Sequence, residues 1–168
     1  VRGVRSQCAS AAEVEWLNKA GAELRALSHQ LEQILKAGKG RAKENASLVL
    51  KALGHKDRHI PYAARVALEH LPAVWWKDRV LKSENPDVVI QGAVALARVA
   101  DKSTQPQILA ALGNLEFGKL TESQKLGLLR AYHLTYIRQA PPEARSANAL
   151  AAELDQHYPA KTDALNRE

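Results

Sequence analysis

Apolar residues in the middle of the chain recur at the spacing of one helix face, and they do so twice in the same register. The stretch from Asp57 to His70 (DRHIPYAARVALEH) aligns without a gap on the stretch from Asn85 to Arg98 (NPDVVIQGAVALAR). Ile60 falls over Val88, Ala64 over Gly92, Val66 over Val94, Ala67 over Ala95 and Leu68 over Leu96. Matches at i, i+4, i+7 and i+8 trace the buried stripe of an amphipathic helix, so both copies are read as helices. Small residues at 64, 67, 92 and 95 allow a neighbouring helix to approach closely, while Leu68 and Leu96 supply bulk between layers. Asp57 and Asn85 open the two copies with side chains that accept from the first free backbone N–H groups, and Pro86 stands in the first turn, where a helix tolerates proline.

The alternation extends outward from this pair. Residues 73–83 are long enough for about three helical turns, with Pro72 ending the helix before them. Residues 42–53 repeat the stripe with Ala42, Ala46, Val49 and Leu50, and Gly54 stops them. A short helix is expected near 104–112, ended by Gly113 and Asn114. Thr121 and Gln124 have the spacing of a capping box and start a helix through Gln139. In it Leu126, Leu128, Leu129, Tyr132, Leu134, Tyr136 and Ile137 spread over so much of the circumference that the helix is expected between two layers. From Pro141 and Pro142 a more polar helix runs to about His157 and suits a terminal cap. Upstream, Ser10 to Lys36 reads as one long helix with Val14, Leu17, Leu24, Leu27, Leu31, Ile34 and Leu35 on its apolar side, ended by Gly38 and Gly40 and placed to cover the open end of the stack. Val1 to Arg5 is a frayed tail or the strand remnant of a preceding domain. The expected fold is all-α: an α-solenoid of stacked antiparallel helix pairs with a long N-terminal helix. Residues 1–9 form the tail, 10–40 the long helix and linker, and 41–168 the repeat array with its C-terminal cap.

Composition agrees with this and narrows it. Aromatic residues make up only 5% of the 168, and Ala and Leu dominate the apolar set where a sheet protein would favour Val, Ile and Thr. No apolar run approaches the roughly 18 residues of a membrane span. The chain opens at Val1 with neither an initiator Met nor a signal-peptide pattern, and is read as a piece of something longer. The single thiol, Cys8, rules out an internal disulfide, a four-Cys zinc site and a Cys-x-x-Cys-His haem attachment. The net charge of +6 lies in one place. Between residues 36 and 65, Lys36, Lys39, Arg41, Lys43, Lys51, Lys56, Arg58 and Arg65 are opposed only by Glu44 and Asp57. A segment of this kind faces an acidic partner, a phosphate or a lipid head group, or simply solvates a linker and a helix face.

The stretch from Asn85 to Arg98 resembles the second helix of a HEAT-type repeat, in which Asp, Pro and a Val-Arg pair precede small residues and Ala-Leu; Asp57 to His70 is a looser copy. Pro61 and Val89 stand where that family often has Arg, so no interlayer Asp–Arg ladder is expected. The run Tyr62 to His70, a Trp at 75 or 76, Leu128 to Tyr132, and the closing Tyr158-Pro159 with Leu165 to Glu168 resemble the HEAT-like region of large secreted multidomain proteins of planctomycete-type bacteria. That resemblance implies a dehydrogenase-like β-propeller before the region, a cytochrome c domain after it, and an extracytoplasmic or periplasmic location.

Catalytic patterns are missing. His55 and His59 have a metal-binding spacing, but Gly54 and Asp57 mark a turn there and no third ligand is visible. His133, with apolar helical neighbours, is expected to be a hydrogen-bonded core residue. Cys8 has no basic residue closer than Arg5, and there is no nucleophile elbow, phosphate loop or dinucleotide fingerprint. Neither cofactor nor metal is expected, and this segment is not read as an enzyme. Trp75 and Trp76, followed by Asp78 and Arg79, admit one sharper alternative: a nucleic-acid-binding helical stack of the DNA glycosylase kind, using the basic 36–65 segment. Against it, one Trp packs in the core, the other covers a layer, and Asp78 is a solvated charge. The expected function is a noncatalytic scaffold binding a protein partner or neighbouring domains. Its candidate surface is Lys39, Arg41, Lys43, Lys51, Lys56 and Arg58, with whichever of Trp75 and Trp76 is exposed.

Overall fold

The structure, a computed structural model, describes residues 22, 25–27, 29–31, 33, 42–57 and 59–167, with side-chain detail in the first full helix from residue 46. The described residues contain helices and turns and no strand. In chain order the helices are α1 (Ala42–Leu53), α2 (His59–Glu69), α3 (Lys77–Leu81), α4 (Pro86–Val99), α5 (Gln105–Gly113), α6 (Glu122–Arg138), α7 (Ala144–Asp155) and α8 (Asp163–Arg167). The tail 1–9 and most of the long helix expected over 10–40 lie outside the described residues. The helical residue Leu31 is fully buried in the common core, and Leu27 packs against it.

Both halves of the internal repeat are helices, and their shared stripe faces inward. Ala64, Ala67, Leu68, Ala95 and Leu96 are completely buried, and Ile60 and Val88 nearly so. The caps match as well. Asp57 Oδ1 accepts from the backbone N–H of His59 at 2.8 Å, and Asn85 Oδ1 from that of Asp87 at 3.0 Å. The Thr121–Gln124 capping box closes in both directions, Gln124 N–H to Thr121 Oγ1 at 3.3 Å and Thr121 N–H to Gln124 Oε1 at 3.0 Å.

Polar contacts at both ends show how these helices lie. The Gln124 side chain also donates to Asp87 Oδ2 at 2.9 Å, joining the N-terminus of α6 to that of α4. At the other end Gln139 Nε2 reaches the Leu96, Ala97 and Ala100 carbonyls at 3.4, 3.3 and 3.0 Å, donating to the acceptors where α4 ends. Arg98 Nε, in the last turn of α4, meets Glu69 Oε2 at the end of α2 at 3.1 Å. Helices α2, α4 and α6 therefore run side by side in one direction. Helices α1, α3 and α5 alternate with them in the chain and pack on their successors, so the molecule is a stacked, solenoid-like succession of helix pairs. Helix α4 packs on α1, α2, α3, α5 and α6, and buries Val88, Val89, Ile90, Gly92, Ala93, Ala95, Leu96 and Ala97. At about 100° per residue those positions cover roughly two thirds of its circumference, and the remaining side, with Gln91, Val94 and Arg98, faces an open groove.

Two expectations need correction. Residues 73–83 do not form one helix: a 3-10 turn at Ala73–Trp75 precedes the five-residue α3. The break falls at Trp76, whose φ of −133° leaves the helical region so that its indole is fully buried and donates from Nε1 to the Leu71 carbonyl at 3.3 Å. Helix α6 is not enclosed between layers. It buries Leu128, Ala131, Tyr132 and Thr135, whereas Leu126 and Leu134 are half-covered and Ile137 is 67% exposed. On its covered side burial, with the charge of Glu153 and the nearby Tyr136 adding, pushes the Tyr132 phenol well above its usual range. The C-terminal helices have no fully buried residue, as suits a cap; Leu150 and Leu154 of α7 lie against the core's edge.

Helices α3 and α4 approach each other closely at Gly92. A Cβ on Gly92 would stand 2.5 Å from Val80 Cβ and 2.7 Å from Cγ2, both in a fully packed layer. Gly92→Ala is expected to cost about 1–3 kcal/mol by overpacking. Adding Val80→Ala should recover part of that loss in a urea titration, and an unchanged midpoint for Gly92→Ala alone would show that the two helices are not in contact.

Candidate functional site

Most of the basic residues proposed from sequence do not gather into a described site. Lys39, Arg41 and Arg58 lie outside the described residues, and Lys43 is placed only as a backbone position in α1. Lys51 and Lys56 are exposed. Of the tryptophans, Trp75 is 36% exposed and Trp76 is fully buried, which removes Trp76 from any interaction surface. With its N–H committed to Leu71 and its ring inside the core, Trp76 has no face on which a base can stack. Asp78 is exposed. The His55–His59 pair is part of a turn: His55 Nδ1 accepts from the Asp57 N–H at 3.0 Å. Among the described residues no three His, Cys, Asp or Glu side chains converge as a ligand set, and no helix is long and apolar enough to cross a membrane.

The feature that stands out lies elsewhere, along the side on which α2, α4 and α6 run in parallel. An open groove of about 510 Å³ lies there. Ile90 and Val94 of α4 line it together with Leu126, Leu134 and Ile137 of α6. The spacings are those of helix faces, i and i+4 on α4 and i, i+8 and i+11 on α6, so each helix offers one stripe to the groove while its other side faces the core. Close approach sets the groove's depth. A Cβ on Gly127 would lie 3.1 Å from Ile90 Cγ2, and the lack of a side chain there brings α6 down onto α4.

Three arginines and a histidine edge this apolar floor. Arg65, Arg98, Arg130 and His133 line it, and no Asp or Glu does among the described residues. Behind two of them stands the carboxylate of Glu69, largely buried and shared between Arg65 Nε at 3.6 Å and Arg98 Nε at 3.1 Å. Arg65 also lies over the Tyr62 ring, 5.1 Å from its centroid. The Arg98 side chain remains 45% exposed. His133, expected in the core, is instead exposed here, because α6 turns positions 128, 131, 132 and 135 inward and 126, 130, 133, 134 and 137 toward the groove. Sequence reasoning named the right apolar residues of α6 but assigned all of them to burial. The spare stripe was the available signal.

No protein-family model matches the chain, and no curated protein or solved structure matches it.

The two tryptophans separate core from surface directly. Trp76→Ala is expected to lose about 3–5 kcal/mol in denaturant unfolding, and Trp75→Ala less than about 1 kcal/mol; comparable losses would mean that the turn at 73–76 is packed differently.

Proposed function

We propose that this chain is a noncatalytic HEAT-like repeat module that holds a protein partner, or neighbouring domains of its own polypeptide, against the exposed side of its parallel helices. The observation that carries the reading is the groove itself, where Val94 of α4 and Leu126 and Leu134 of α6 are only half-covered and Ile137 is exposed. A strip of that kind is where soluble proteins receive other proteins. The matching caps of α2 and α4 and the shared core support the repeat character, since each layer buries its apolar face only against the next. In the setting that the sequence resemblance implies, an extracytoplasmic parent protein, the module keeps an oxidising propeller and an electron-accepting cytochrome domain at a set separation and takes no part in the chemistry.

The test is a photo-crosslinking amino acid placed at Ile137, in the groove, and at Ala149, on the exposed face of α7, in cells that make the protein. Position 137 is expected to give discrete protein adducts and position 149 none; no adducts at 137, or the same set at both, would overturn the reading. Duplex DNA in about 50 mM salt is expected to show no gel shift. A shift weakened by Lys51→Glu with Lys56→Glu would favour nucleic-acid binding instead.

A further inference from the structure

Resting on the docking role proposed above, we infer that the groove between α4 and α6 takes an acidic amphipathic helix, apolar along one face and carrying Glu or Asp on the flanks of that face. Length comes first. From Leu126 to Ile137 the α6 stripe spans about 16 Å at 1.5 Å per residue, which accommodates about three turns of a partner helix. The floor is made of branched aliphatic side chains on two parallel helices, so it forms a trough between ridges into which a third helix can lay residues spaced i, i+4 and i+7.

Charge then selects among amphipathic helices. Arginines on α2 and α4, Arg65 and Arg98, share the carboxylate of Glu69, and the edge of the trough carries no acidic residue among those described. The local balance is positive. Arg98, nearly half exposed, lies beside the floor residue Val94 and can pair with a carboxylate on the occupant's flank without losing Glu69. A lysine-rich helix in the same trough meets like charges at its edges and is rejected. A nucleic acid would satisfy the arginines but would lay its phosphates over Val94, Leu126 and Ile137, burying apolar surface against charge; the mixed chemistry of the groove fits a peptide better.

The experiment uses fluorescein-labelled synthetic helices of about 16 residues that share one Leu/Ile stripe and differ only in their flanking positions, all Glu, all Gln or all Lys. Anisotropy titrations against the whole chain are expected to rank them Glu, then Gln, then Lys, with the Glu peptide at least about tenfold tighter than the Gln peptide and weakening as salt rises. Ile137→Asp, at an exposed position that leaves the core intact, should abolish binding of the Glu peptide with an unchanged circular-dichroism spectrum. Arg98→Gln should bring the Glu peptide toward the affinity of the Gln peptide.

Equal affinity for the Glu and Gln peptides, both lost on Ile137→Asp, would overturn the charge inference while leaving a docking groove. Failure of all three peptides to bind, with protein adducts still formed at position 137, would overturn the helix inference alone; absence of both would remove the docking role as well. Displacement of the Glu peptide by a single- or double-stranded oligonucleotide would reassign the groove to nucleic acid.

Discussion

Everything in this fold depends on one helix that packs against five others and buries about two thirds of its surface among them. A helix packed against five others needs apolar residues over most of its girth, and it needs small ones wherever a neighbour comes close. Helix α4 meets both demands with three consecutive branched residues, Val88, Val89 and Ile90, followed by Gly92, Ala93, Ala95 and Ala97 around the single bulky Leu96. Val80 of α3 rests where Gly92 has no side chain, and Ile90 faces Gly127 of α6. The layers before and after α4 thus share its side chains as one continuous core.

Burial of this kind is not directional, and alone it does not say which way neighbouring helices run. Polar groups at the helix ends supply that. Gln124 both closes its own capping box and holds Asp87, and Gln139 offers its amide to the last carbonyls of α4. Arg98 reaches Glu69 on the opposite flank. Helix termini carry unsatisfied groups whose burial costs on the order of 1–3 kcal/mol each; reversing α6 would leave both sets without partners. The Glu69–Arg98 pair joins layers in the place where a regular Asp–Arg ladder was not expected. It also draws arginine side chains toward the groove, so a contact that fixes the stack also shapes its surface.

Much of this was legible from the sequence. Every helix from α1 to α7 was anticipated within a few residues except across 73–83, because caps, stops and a 3.6-residue stripe are local signals. The break at Trp76 was not legible, since it arises from a long-range demand: an indole must enter the core and its N–H must find the Leu71 carbonyl. The same limit explains α6. Periodicity showed that too many of its positions are apolar for a surface helix, and no local signal distinguishes a stripe that meets another layer from one that faces an open groove. Of the candidate surface, the charge count pointed to 36–65. The groove keeps only Arg65 of that run and adds Arg98, Arg130 and His133 from two further helices, a convergence set by stacking and invisible to a run of sequence.

If α4 is the shared core of successive layers, it should be the last part of the molecule to open. Native-state hydrogen exchange, followed amide by amide at rising urea, measures this directly. Amides of α4 from Ile90 to Val99 are expected to exchange only through global unfolding, with an opening free energy equal to that of the whole chain and no smaller than that of any amide in α2 or α6. Exchange of α4 through a cheaper, local opening while α2 or α6 stays protected would contradict the account.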